Sequence, residues 1–160
     1  MRFIQLTAFL FIASVIFFTS CKKSDEDLEW ENTYIGTITM SGGQETPAVS
    51  TSATGTIEAK YSRLTNTLNY SITFSGLSDS AIAAHIHGTG ETGIKADIMQ
   101  TFSPFPKAKS GTYSGSLYID GVKFLEAELL NDRYYINIHS KTYGQGEIRG
   151  QLILRRGPKP

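Results

Sequence analysis

The sequence predicts an all-β domain, an antiparallel β-sandwich of about eight strands with one short helix, and three observations carry the prediction. From Thr33 onward apolar and polar residues alternate with period two, the period of a half-buried strand. Gly, Ser, Asn and Asp interrupt that alternation at short intervals, as turns do. Each run keeps one apolar and one polar face, which suits antiparallel sheets packed on one side and wet on the other. Composition agrees: 40% of the 160 residues are hydrophobic and 19% charged, so the chain can bury a core and is not of the disordered class. Its 15 Lys and Arg balance 15 Asp and Glu, so no net field recruits a polyanion and nucleic acid is not expected as a partner.

The elements follow in chain order. Met1 and Arg2 give a basic start, and Phe3 to Phe18 then run without a charge. That run is shorter than the roughly 20 residues a membrane-spanning helix needs, so residues 1–20 read as a secretory signal peptide. Phe18-Thr19-Ser20-Cys21 resembles a bacterial lipobox, with Phe18 where leucine is usual. The resemblance implies cleavage before Cys21 and lipidation of its sulfur and amino group. Lys22-Lys23-Ser24-Asp25-Glu26-Asp27 is similar to the acidic export signals of Bacteroidetes lipoproteins, which implies a lipid-anchored, surface-exposed protein of the outer membrane that meets the membrane through its lipid alone. Residues 21–32 are polar and acidic without periodicity and read as a tether. The domain proper is residues 33–154.

Strand patterns cover Tyr34 to Met40, Thr54 to Tyr61, Thr67 to Phe74, Ala81 to His87, Lys95 to Phe102, Thr112 to Ile119, Tyr134 to His139 and Glu147 to Leu154. The clearest has Leu68, Tyr70, Ile72 and Phe74 on one face and Thr67, Asn69, Ser71 and Thr73 on the other. Val122, Leu125 and Leu129 are spaced nearer to 3.6 than to 2, so a short helix is expected there. Glu126 and Glu128 on it point to different sides and read as solvated surface. Pro104 and Pro106 place Ser103 to Ser110 in a loop. Residues 155–160 read as a frayed tail.

Cys21 is the single cysteine, so neither an internal disulfide nor a cysteine zinc site is available, and any metal must be held by His, Asp or Glu. Gly88-Thr89-Gly90-Glu91-Thr92-Gly93 has the spacing of a dinucleotide fingerprint, but the residues after it do not supply the helix and the downstream acid that the chemistry requires, so these read as turn glycines. No nucleophile elbow, reactive thiol or suitably spaced acid pair points to hydrolase work. The informative cluster is Ala84-His85-Ile86-His87-Gly88. Residues two apart on a strand share a face with Cα atoms roughly 6.6 Å apart, a spacing from which two imidazoles can reach one ion. The third of the three histidines, His139, lies on the polar face of its strand with Asn137. If the last two strands form a hairpin across Ser140 to Gln145, Glu147 and Arg149 come close to His139 as well. A blander reading stays open, in which the histidines are solvated on the outer face or donate to backbone carbonyls and Glu147, and Glu147–Arg149 is an exposed pair.

Ser41-Gly42-Gly43-Gln44-Glu45-Thr46-Pro47-Ala48-Val49, Ala84 to Gly88, Tyr135-Ile136-Asn137-Ile138-His139-Ser140 and Gly146-Glu147-Ile148-Arg149-Gly150-Gln151-Leu152 together resemble the CHRD domain family over about Thr33 to Leu154, with Ser140 where threonine is commoner. The resemblance implies an extracellular β-sandwich acting as a non-catalytic binding or structural module, its partner an unknown extracellular protein or glycan. On that reading exposed aromatics such as Tyr118 or Tyr143 mark the contact surface. A second resemblance is to the copper-zinc superoxide dismutase sandwich, carried by the Gly76-Leu77 turn, the His-x-His strand, the late histidine and a near-terminal arginine. It implies His85, His87 and His139 as ligands to copper or zinc and Arg149 as an anion guide. The bridging histidine, the remaining zinc ligands and the disulfide cysteines are missing, which argues against the dismutase reaction itself.

Overall fold

Alternation in the sequence becomes alternation in burial. In the computed structural model, which describes residues 23–159, strands β2 (Thr54–Ser62) and β3 (Thr67–Ser75) bury every second residue: Gly55, Ile57, Ala59 and Tyr61 on one, Leu68, Tyr70, Ile72 and Phe74 on the other. The intervening Thr, Glu, Lys, Asn and Ser side chains face outward. Seven further strands complete the fold: β1 (Thr33–Ser41), β4 (Ala81–His87), β5 (Ile98–Thr101), β6 (Gly111–Tyr118), β7 (Tyr135–Ser140), β8 (Ile148–Gln151) and β9 (Arg155–Arg156). All pairings are antiparallel, in the order β5-β4-β7-β8-β1-β2-β3-β6, with β9 also on β1.

The sheet curls so that its two limbs share one core, and β1 is where it turns. Along its whole length β1 pairs with β2, while its other edge meets β8 only at Ser41↔Arg149 and β9 at Tyr34↔Arg156 and Ile35↔Arg155. Residues 152–154 cross between those contacts, passing so near β1 that a Cβ on Gly36 would lie 2.4 Å from the Ile153 carbonyl oxygen. Ile57, Leu68 and Ile72 from one limb and Ile86, Ile136, Ile138 and Ile148 from the other are fully buried. At the open side Phe102 stacks on both Tyr70 and Tyr113, with ring centroids 5.3 and 4.8 Å apart, and ties the ends of the two limbs together.

The expected sandwich with a short helix is therefore present, with differences at its margins. The helix α2 is Glu126–Leu130 and starts later than the apolar spacing suggests. Asp120 Oδ1 accepts from the amides of Val122, Lys123 and Phe124, and that Asx turn holds the preceding residues out of the helix. Nor is Glu126 freely solvated, since it takes the Tyr61 hydroxyl at 3.0 Å and Arg63 Nε at 2.6 Å.

Two expectations at the ends are corrected. Part of the tether is helical: α1 spans Asp25–Glu31 because Ser24 caps it by accepting from the Asp27 amide, and Asp25, Glu26 and Asp27 favour the positive end of the helix dipole. The tail is not simply frayed, since Arg155 and Arg156 pair with β1 and the Gly157 carbonyl accepts from Trp30 Nε1 at 2.8 Å. Residues 1–20, expected to be a signal peptide, and Cys21, the expected lipidation site, lie outside the described residues.

Candidate metal centre

Register determines which polar side chains meet. His85 pairs with Asn137 and Asn137 with Arg149, forming one row across β4, β7 and β8; His87, Tyr135 and Gln151 form the next, and Ala83 with His139 a third. Period two puts all these residues on one face of the limb, and the small Ala83 leaves room for His139 to lean toward His85. This face is not wet. Every residue of β7 and β8 is buried, and His85, His87 and His139 are 9%, 7% and 8% exposed. The cover comes from two segments: the turn carrying Glu45, distant in the chain, and the loop that leaves β4 directly after His87 and contains Gly88 to Gly93. No helix follows those glycines, as the rejection of the dinucleotide motif requires.

The three imidazoles converge, each offering a nitrogen, with these atoms all within 4.8 Å of one another. His85 Nδ1 lies 3.0 Å from His139 Nε2. His87 presents Nδ1 to the Ala96 carbonyl at 2.9 Å and Nε2 to Asn137 Oδ1 at 3.0 Å. His139 does the same with the Gly144 carbonyl at 3.0 Å and the same Asn137 oxygen at 3.0 Å. The cluster opens onto a cleft of about 370 Å³ whose rim includes Glu45, Lys95 and Gln145.

Electrostatics keep the rings neutral. Burial, reinforced by the neighbouring His139 and His87, pushes the His85 pKa down to about 4. Burial also lowers His87, outweighing its bonds to Ala96 and Asn137, and lowers His139 against the pull of Gly144. A neutral imidazole has one N–H, yet His87 and His139 each direct both nitrogens at oxygen acceptors. With the Nδ1 protons given to the backbone carbonyls, two Nε2 lone pairs and an amide oxygen face each other. Such an arrangement places three electron-rich atoms together with no positive charge between them.

The remaining expected site residues are placed differently. Arg149 is 1% exposed and donates to the Ile94 carbonyl at 3.0 Å and to Gln151 Oε1 at 2.8 Å. Its guanidinium lies 3.4 Å from the centroid of the Tyr135 ring, which in turn stacks on His87 with a centroid distance of 4.6 Å. Its donors brace the β4–β5 loop, the structural alternative to anion guiding. Glu147 does not join the histidines: although β7 and β8 form the expected hairpin, its carboxylate accepts from Thr51 Oγ1 at 2.8 Å and from the amide and hydroxyl of Ser78 at 2.8 and 2.7 Å. Burial would raise its pKa, but the bonds from Ser140, Ser78 and Thr51 together hold it below the ordinary carboxylate value. The idea of an exposed Glu147–Arg149 pair is likewise corrected, both being buried. Tyr118 is 61% exposed, while Tyr143 is half-buried with its hydroxyl donating to the Ser50 carbonyl. Asn137, Glu45 and the carbonyls of Ala96 and Gly144 were not expected at the site. Asn137 could have been found by its position two residues before His139; the carbonyls leave no trace in side-chain pattern.

A curled antiparallel β-domain with a buried three-histidine cluster beneath two covering loops is the class this geometry defines. The chain belongs to the CHRD domain family, whose model matches residues 36–152, well over half of its length. No curated protein and no solved structure matches it.

Proposed function

We propose that this CHRD domain is a metal-binding module outside the cytoplasm that takes copper or zinc through His85, His87 and His139. The proton shortage carries the reading: two buried, neutral imidazoles each face two oxygen acceptors, with a third imidazole nitrogen beside them. Imidazole suits both metals, and the absence of thiolate donors disfavours softer alternatives. Titration of the metal-free protein with Zn(II) and with Cu(II), read by calorimetry and elemental analysis, tests it. The expected result is stoichiometric uptake that His87→Ala abolishes, and a folded state stabilised by about 2.7 kcal/mol at a free metal concentration a hundred times Kd. Equal, weak uptake by both proteins would overturn it.

The leader and Cys21 support a location for that module: a lipid anchor holding it at the outer surface of the outer membrane. Mass spectrometry of detergent-extracted protein reads this directly, an unmodified Cys21 being the contrary outcome. A second reading, contact with an extracellular protein or glycan, is favoured by Tyr118, 61% exposed on edge strand β6, and by Val122, 85% exposed just beyond it. Loss of cell-surface or matrix adhesion in Tyr118→Ala supports that surface, and unchanged adhesion counts against it.

A further inference from the structure

The metal reading leaves one group at the centre without a role. Asn137 Oδ1 lies 3.0 Å from both His87 Nε2 and His139 Nε2, where an acceptor repels the lone pairs unless something positive stands between them. Rotating the amide would replace that oxygen with a donor, so the rotation needs a reason to be resisted. Glu45 provides it. Gly146, at φ 122°, has no side chain, and a Cβ there would lie 2.4 Å from Glu45 Oε1 and 2.8 Å from Asn137 Nδ2, so that the missing methyl is what lets carboxyl and amide come together. The amide nitrogen is the donor of Asn137 and a carboxylate is acceptor-only, so with Nδ2 on the side of Gly146 that Glu45 Oε1 occupies, Oδ1 faces the histidines, and the buried Oε1, which has no hydrogen-bond partner among the described residues, favours that orientation over the rotated one. Glu45 is itself only 9% exposed, and burial raises its pKa while the nearby Asn137 amide and the charge of Arg149 oppose that rise.

From this arrangement we infer that Asn137 Oδ1 is a fourth metal donor, with Glu45 the residue that positions it. The inference rests on the three-histidine reading and adds the donor that decides which metal the site prefers. A four-coordinate ion bound at about 2.0–2.1 Å requires neighbouring donors roughly 3.3 Å apart. Three of the donor pairs already stand at 3.0 Å: His85 with His139, and Asn137 with each of His87 and His139. These three pairs need to open by only a few tenths of an ångström, while the histidine nitrogens, which as a set lie within 4.8 Å of one another, need to draw in around the ion by side-chain rotation. Three imidazoles and an amide oxygen form a set suited to Zn(II) or Cu(II) rather than to Cu(I), which is selected by soft thiolate and thioether donors. The four donors are neutral, so the Glu45 carboxylate also provides a compensating negative charge and polarises the amide toward the metal.

Zn(II) competition titrations and Cu(II) electron paramagnetic resonance on the full mature chain test this, comparing wild type with Asn137→Leu, Asn137→Asp and Glu45→Ala. Asn137→Leu should weaken Zn(II) binding about 10- to 100-fold, and Glu45→Ala should weaken it by about tenfold with all three histidines intact. Asn137→Asp, which replaces a neutral oxygen donor with a charged one, should tighten binding and alter the Cu(II) hyperfine splitting. That isosteric variant decides the matter should Asn137→Leu fail to fold. Wild-type affinity and an unchanged Cu(II) spectrum in Asn137→Asp would overturn the fourth donor while leaving the three-histidine site standing. Failure of wild-type protein to bind Zn(II) or Cu(II) would remove the site and this inference together.

Discussion

Strands β2 and β7 have much the same sequence rhythm and opposite surroundings. In β2, Thr56, Glu58 and Lys60 face water between the buried Ile57, Ala59 and Tyr61. In β7, Asn137 and His139 alternate with Ile136 and Ile138, yet all six residues of the strand are buried. The apolar face of each strand packs into the common core. Only the polar faces differ, because β7 and β8 lie beneath the Glu45 turn and the β4–β5 loop while the outer face of β2 has no such cover. A polar face under a lid must satisfy its own donors and acceptors, so its side chains act as a network and not as a solvated fringe. Neutral imidazole, amide and guanidinium groups can meet that demand, and the Lys and Glu residues of β2 could not do so without paired partners.

The most severe way to break the comparison is Arg149→Ala. The substitution empties the volume of a fully buried side chain, strips donors from the Ile94 carbonyl and Gln151, and removes the cation stacked on Tyr135. A loss of about 3–5 kcal/mol is expected in denaturant unfolding, in the range seen when one member of a buried charged network is deleted. Gly146→Ala should rank next, at about 1–3 kcal/mol, because it combines a positive φ with a Cβ directed into the Glu45–Asn137 contact. Its more specific mark is weakened Zn(II) uptake. Glu147→Gln should cost about 1–3 kcal/mol, since Thr51 and both donors of Ser78 converge on the single oxygen Oε1, and a neutral amide oxygen holds three donors less strongly than a charged carboxylate oxygen does. Because Glu147 lies away from the histidines, that variant should keep wild-type metal affinity, which separates the structural part of this buried layer from its binding part.

How much of this could be read in advance follows from the same contrast. Period two places Leu68, Tyr70, Ile72 and Phe74 in the core from sequence alone, because the signal is local and repeated. The convergence of His85 and His87 was legible for the same reason, and His139 through its family motif. What covers them was not. Glu45 arrives from about forty residues before His85 in the chain, and Ala96 and Gly144 contribute backbone carbonyls, which any residue type supplies. The partners of Glu147 are not legible, because alternation gives the face of a strand but not which of two flanking loops a side chain at its end will reach. Composition alone makes the acidic segment after Cys21 a tether, although Ser24 three residues before Asp27 is a helix-capping pattern.

Titration sharpens the contrast without altering any side chain. His85, at about 4, sits below its ordinary 6.5, and His87 and His139 are lowered too, so the unfolded chain takes up protons before the folded one does. Stability of the metal-free protein should therefore fall as pH drops from 6.5 toward 4, and the fall should be complete only below the folded-state value. Glu147 acts in a separate window: its folded pKa lies below 4.5, so its contribution is present above that value and is lost as pH falls through the lower folded one. Thermal melts in chelator from pH 8 to 4 should show the histidine limb, and His85→Gln should flatten it. A wild-type curve that is level across this range would mean that the rings are hydrated, as on the outer face of β2.

The smallest effect is expected on β2 itself, from Lys60→Ala. Its ammonium lies 3.2 Å from Glu29 of α1, but the two side chains are 54% and 67% exposed, so water and salt screen the pair and it is worth about 0–1 kcal/mol. The helix has other ties, through Trp30 to the Gly157 carbonyl and through Asp27 to Lys159, so losing one should not release it. A change within about 0.5 kcal/mol is the expected outcome in denaturant unfolding, with the intensity of Trp30 fluorescence unchanged. A cost of several kcal/mol would show that α1 lids β2 as the Glu45 turn lids β7. The sheet would then have covered polar layers on both limbs, and the distinction between a binding face and a solvated face would have to be drawn elsewhere in the molecule.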